Sequence, residues 1–174
     1  MGEEVTNEQD AQIQAGGLSR AAARFAGELR RLGVACEVKE MPESTRSAPE
    51  AASAVGCDVA QIVKSLVFRS VEADEALLVL VSGADRVDEK RLEQLVGGAV
   101  ERATAEFVRS RTGYAIGGVP PLGHLQPIVT YLDERLLDHD LVWAAAGTPR
   151  AVFSIAPFDL LKLTSARLVD VAAS

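Results

Sequence analysis

A chain of 174 residues, almost half of them apolar and a quarter charged, has the size and balance of one globular domain and not those of a disordered or fibrous sequence. Its net charge of −7 argues against a protein that wraps DNA or other long nucleic acid, because such binding grows with lysine and arginine contacts to phosphate; gripping one RNA end stays open. No run approaches the roughly 18 apolar residues of a membrane span, and the opening MGEEVTNEQD lacks the basic and apolar parts of a signal peptide, so no membrane partner is expected and the expected compartment is the cytoplasm.

Residues 1–17 are polar, end in Gly16-Gly17 and predict a frayed tail, which leaves 18–174 as the single domain. Leu18, Ala22, Phe25, Leu29 and Leu32 fall on one helical stripe that Gly33 stops, with Arg20, Arg24, Arg30 and Arg31 facing water. Val34–Val38 alternates as a strand would. The polar loop 41–46 leads to Ser47 and Glu50, which have the spacing of a capping box, with Pro49 early in the helix and Gly56 at its end.

Ile62–Phe68 predicts a largely buried strand, interrupted chemically by Lys64, and Ala76–Val81 a second one. A helix from about Asp88 carries Leu92, Leu95 and Val96 up to Gly97-Gly98. A weak strand near Val100, a helix from Thr104 to Arg111 and an irregular stretch 113–124 follow. Strands are expected at 128–132, 141–145 and 150–155, then a helical turn from Pro157 and a short strand at Leu168-Val169. Strands outnumber helices without alternating with them, so the fold class is α+β, a mixed sheet with helices packed on it.

The chemistry-bearing residues are few. Cys36 and Cys57 stand apart without a CxxC spacing or a neighbouring histidine, which predicts small buried side chains and no metal site. The glycine-rich stretches match neither a Walker loop nor a dinucleotide fingerprint, and no GxSxG elbow is present. His139 sits in an acidic loop, and Arg102, Arg109 and Arg111 lie close enough together to form a small basic patch.

Lys64 carries the most information, because an ammonium among apolar strand residues must either reach water or meet a partner; alternation puts it on the face of Ile62, Leu66 and Phe68. The second constellation is Gly117-Gly118-Val119-Pro120-Pro121-Leu122-Gly123-His124. Prolines cannot donate, so the N–H groups of Gly117, Gly118 and Val119 are the ones available at its front to face an oxyanion.

Together, AQIVKSLVF at 60–68 and YAIGGVPPLGH at 114–124 resemble the YbaK and prolyl-tRNA-editing family. The resemblance spans roughly residues 18–170. It implies a partly barrel-like sheet flanked by helices, with no metal or organic cofactor. It implies a pocket lined by Lys64 and by the GxxxP loop Gly117–Pro121, with His124 at the end of that loop. The run 142–150 is similar to the family's strand and glycine turn, carrying Gly147 beside the site. Thr45 and Ser47 would add polar contacts at the pocket edge.

The activity implied is trans-acting hydrolysis of the ester of mischarged aminoacyl-tRNA, with proline tRNA carrying a wrong small amino acid as substrate. Its partners would be the acceptor end and a prolyl-tRNA synthetase. The alternative is a module that binds aminoacyl-tRNA ends or a synthetase without turnover. An aminoacyl ester is already activated, so positioning and oxyanion stabilisation suffice, in keeping with the missing triad.

Overall fold

The computed structural model describes residues 13–14 and 17–173. Residues 1–12, 15–16 and 174 lie outside the described set, and with them most of the stretch expected as a tail. Within that stretch Ile13–Gln14 (β1) pairs antiparallel with Leu18–Ser19 (β2).

The first helix, Arg20–Arg31 (α1), buries Ala22, Phe25, Ala26 and Leu29, one side of a 3.6-residue period. It begins later than its apolar stripe suggests: Leu18 belongs to β2, and Leu32 caps the helix at 40% exposure. The strand expected at 34–38 is corrected as well. Ladder pairing starts at Lys39–Glu40 (β3), which lies opposite Ala151 and Val152. Val34, Cys36 and Val38 still pack on the core, so their alternation reported burial and not hydrogen bonding.

Ala48–Val55 (α2) starts at Ser47, whose hydroxyl accepts the Glu50 N–H at 3.3 Å, and ends on Gly56 in the left-handed conformation. The reciprocal bond of a full capping box forms instead around the turn 59–61, from Asp58 N–H to the Gln61 side chain. Val63–Ser70 (β4) and Glu75–Ser82 (β5) make a long antiparallel hairpin. Val100–Arg102 (β6) joins β4 only opposite Phe68–Ser70. Val129–Asp133 (β7) runs parallel to β5, and Arg167–Val169 (β10) parallel to β7.

These five strands form one sheet in the order β10-β7-β5-β4-β6. A second sheet, β3-β9-β8, contains Val142–Ala145 (β8) and Ala151–Ile155 (β9). A parallel bridge between Ile62 and Trp143 ties the sheets at one corner, which gives the partly barrel-like closure of a mixed α+β fold. The main core fills the space between them, with Leu80 and Leu132 from one sheet, Val142 and Phe153 from the other, and Phe25 and Leu29 from α1. Glu89–Val96 (α3) covers a second core on the outer face, around Phe68, Val79 and Leu92. Ala105–Thr112 (α4) and Pro157–Thr164 (α5) complete the helices of the described residues. None of these helices is long and apolar enough to cross a membrane.

The segment that follows β10 is held by one carboxylate. Asp133, with no exposed surface, accepts the Arg135 N–H at 3.0 Å on one oxygen and the Val171 and Ala172 N–H groups at 2.8 and 3.0 Å on the other.

Candidate functional site

Where β6 stops, β4 keeps an uncovered edge, and the space beside it is a cavity of about 370 Å³. One wall is β4 from Ile62 to Leu66; the others come from the loop 45–47 with the start of α2, the segment 116–119, and β8. Lys64, Thr45, Ser47, Gly117 and Val119 all border it, so residues far apart in the chain converge on one space. A smaller cavity of about 180 Å³ continues from it toward Arg102 and Val108, sharing Ser65, Leu66, Ile116, Gly117 and Val119.

Three backbone segments are fastened together behind the cavity. Thr45, only 7% exposed, donates its N–H to the Pro149 carbonyl at 2.7 Å and its hydroxyl to the same oxygen at 3.1 Å. Gly147 N–H donates to the Gly118 carbonyl at 3.0 Å. The Arg24 guanidinium stacks 4.3 Å above the Tyr114 ring and donates to the Gly113 carbonyl, tying α1 to the entry of the 116–119 segment.

The expectation for Gly118 is corrected. Its N–H donates to the Ala115 carbonyl at 3.0 Å, and it does not line the cavity. A β-carbon there would sit 2.7 Å from the Thr148 backbone, so the glycine is required by close packing of two chain segments. Gly118→Ala is therefore expected to lower stability by about 1–3 kcal/mol, read as a shifted urea midpoint. Gly117 and Val119 differ from Gly118, because their N–H groups have no acceptor among the described residues.

Four further residues lie elsewhere than expected. Pro121 and His124 line a separate open depression with Glu28 and Arg167, because the chain turns away from β4 after Val119. Pro120 is buried and borders none of these cavities; its carbonyl accepts from His124 Nε2 at 2.7 Å. Gly147 stands behind the wall, where a β-carbon would meet the Ala21 carbonyl at 2.8 Å.

Burial holds the His124 imidazole below its ordinary value of 6.5, against the pull of the Pro120 carbonyl. The unfolded chain then binds the proton more tightly than the folded one. That contribution to stability is complete above pH 6.5 and is lost as pH falls through the lowered folded value. Melting temperatures should drop as pH falls below 6.5, and less so in His124→Asn.

Lys64 places its stem on the face of β4 opposite Val81, as alternation requires, and its ammonium donates to the Asp85 backbone carbonyl. Burial pushes its pKa below the ordinary lysine value. The Asp85 carboxylate opposes this, and Arg86 and Arg102 add to the depression. That carboxylate is itself paired with Arg135 at 3.1 Å. No carboxylate, thiol or imidazole lines the cavity beside β4, whose charged wall residues are Arg46 and Lys64. Cys36 and Cys57 are half-buried, not fully buried, and burial raises both thiols above their ordinary value, away from nucleophilic thiolates. Among the described residues no three His, Cys, Asp or Glu side chains group as metal ligands.

Of the three arginines singled out in the sequence, Arg111 is engaged by Asp74 and its side chain is 28% exposed. Arg102 stands at the mouth of the smaller cavity with 73% of its side chain exposed, and Arg109 is exposed on α4. Sequence reasoning missed Ser65, Arg46, Ile116 and Trp143 as wall residues. Ser65 was visible only as a second polar residue in an apolar strand.

Residues 42–163 match the family described as the aminoacyl-tRNA editing domain. The EbsC protein of Enterococcus faecalis (strain ATCC 700802 / V583), provisionally named a Cys-tRNA(Pro)/Cys-tRNA(Cys) deacylase, is 27% identical over 130 residues, 74% of this chain and 79% of its own. YwhH of Bacillus subtilis (strain 168) is 29% identical over 136 residues, 78% of this chain and 86% of its own. A crystal structure provisionally described as a trans-editing enzyme for prolyl-tRNA synthetase is similar at a TM-score of 0.86 and 51% identity, covering 91% of this chain and 100% of that one.

Proposed function

The chain belongs to the aminoacyl-tRNA editing domain family and is an aminoacyl-tRNA deacylase; from that premise we propose that it acts in trans on proline tRNA carrying a wrong, small amino acid. The observation that carries the reading is the cavity beside β4. It gathers two cations, Arg46 and Lys64, and two residues with unengaged N–H groups, Gly117 and Val119, around a largely apolar space, with no carboxylate, thiol or imidazole among the described residues of its wall. Such a site suits an ester that needs its carbonyl polarised more than it needs an attacking side chain.

In this reading the Gly117 and Val119 N–H groups face the ester carbonyl. Lys64 holds the phosphate of the terminal adenosine or steers the aminoacyl group. Water, ordered by the substrate's own ribose hydroxyl, adds to the carbonyl carbon. The ester C–O bond then breaks, the ribose oxygen takes a proton, and free amino acid leaves. Thr45 and Ser47 sit at the rim as polar contacts. Val63, Ala144 and Val152 give the cavity an apolar wall that excludes larger side chains, although one methylene is worth only about 1–3 kcal/mol of discrimination.

The names of the relatives support proline tRNA as substrate and a prolyl-tRNA synthetase as partner; on that reading we assign the chain to the cytoplasm. Single-turnover release from a panel of mischarged tRNAs tests the proposal. Small amino acids on proline tRNA should be released fastest. Equal rates on every tRNA, or faster release of correctly attached proline, would remove the proposed specificity.

A further inference from the structure

Ser65 lies between Lys64 and Leu66 on β4, and its hydroxyl oxygen is buried without a hydrogen-bond partner. A buried hydroxyl left unpaired is unfavourable, and native chains keep few of them. The backbone around it is unpaired as well. The Ile62 carbonyl accepts from Gly83 N–H at 2.7 Å on the β5 side, whereas the Val67 carbonyl accepts from Ala103 N–H at 3.2 Å on the β6 side. Carbonyls alternate sides along a strand, so the Ser65 carbonyl points the same way as that of Val67. On that side the last backbone bond is the one from Ala103 N–H to Val67, and at Ser65 the cavity takes the place of β6.

The charge of the wall says what these oxygens are for. Resting on the deacylase reading above, the ligand is an aminoacyl ester, which carries an α-ammonium unless it is deprotonated or acylated. That group enters a cavity whose charged wall residues, Arg46 and Lys64, are cations, with no carboxylate to receive it. The Thr45 hydroxyl is directed as a donor at the Pro149 carbonyl, and the Ser47 oxygen already accepts from the Glu50 N–H, so both side chains are held by the backbone. We infer that Ser65 reads the α-ammonium of the aminoacyl group, its carbonyl and hydroxyl oxygens both accepting hydrogen bonds from it. Neutral acceptors suit this position, because a carboxylate there would pair with the neighbouring Lys64.

The test compares one proline tRNA carrying alanine with a free amino group and the same tRNA carrying N-acetyl-alanine, in single-turnover deacylation. The parent chain should release the free-amino form faster. Ser65→Ala should narrow that ratio by about tenfold, the worth of one hydrogen bond to a charged group, and should melt no lower than the parent because an orphaned hydroxyl is gone. Ser65→Thr, which keeps the hydroxyl, should retain most of the ratio. Equal rates on the two esters in the parent chain, or an unchanged ratio in folded Ser65→Ala, overturn the assignment. Release of neither ester by the parent chain overturns the deacylase reading itself, a separate result from the other two.

Discussion

Lys64→Ala is expected to deacylate on the order of 100-fold more slowly than the parent chain while unfolding at nearly the same temperature. The two halves of this result have different causes. Lys64 is the charged residue that β4 contributes to the cavity wall, which Gly117 and Val119 also line, so on the proposed reading its loss removes positioning that other wall residues do not replace. Stability is spared because the folded environment, through burial, disfavours the charged form. The sign follows from linkage. With a folded pKa below the ordinary 10.5, the unfolded chain binds the proton more tightly. Stability therefore rises as pH climbs from the lowered value to 10.5, and the charged lysine at neutral pH lends the fold nothing by its ionisation.

What the variant does lose is the bond from the ammonium to the Asp85 carbonyl, worth about 1.5 kcal/mol or more, and this loss is offset by removal of the ammonium's desolvation cost. Urea denaturation and single-turnover rates on the same preparation separate the two effects. Lys64→Arg should recover little activity, since a planar guanidinium aims its donors differently from a compact ammonium. Full activity in a folded Lys64→Ala would remove the lysine from the mechanism.

The largest loss of stability is expected at Asp133, which belongs to none of the motifs the chain displays. Asp133→Ala strands the buried N–H groups of Val171 and Ala172 and the part-buried one of Arg135, and should lower stability by about 3–5 kcal/mol. The damage spreads along the chain. Val171 also accepts from Asp88 N–H at 2.8 Å at the start of α3, and Ala173 donates to the Arg86 carbonyl at 2.7 Å. Asp133→Asn keeps the shape but turns one acceptor into a donor, and should fall between alanine and the parent. A urea midpoint for Asp133→Ala within error of the parent would make the carboxylate dispensable.

Most elements were readable because the chain punctuates them chemically. Ser47, Asp88 and Thr104 each cap the helix expected from them, and Gly56, Gly97 and Gly113 end those helices. The apolar runs at 62–68 and 76–81 became the central hairpin for an equally local reason. What failed to read depended on partners supplied from afar. Val34–Val38 had the alternation of a strand, but β9 offers its pairs to Lys39 and Glu40.

The site divides along the same line. Lys64 stood out because an ammonium in an apolar strand is conspicuous by itself. Asp133 gave no signal in the sequence, since its burial comes from a segment that packs beside it only in the folded chain. Ser65 could not be distinguished from any strand serine, because its unpaired state depends on where β6 ends. Pro121 and His124 were grouped with Gly117 by sequence proximity, whereas the chain changes direction after Val119 and carries them to another surface.

The uncovered edge of β4 has a consequence for association between chains. A strand edge with free N–H and C=O groups is a template on which a foreign strand adds, and proteins commonly blunt such edges with charge or covering segments. Here the bare stretch lies between Trp143 at one end and β6 at the other, with the 116–119 segment across it. A segment in that position obstructs a foreign strand that would lie down along the edge. The 116–119 segment thus guards against intermolecular β-pairing, so damage to its docking on Thr148 would be felt as aggregation as well as lost stability.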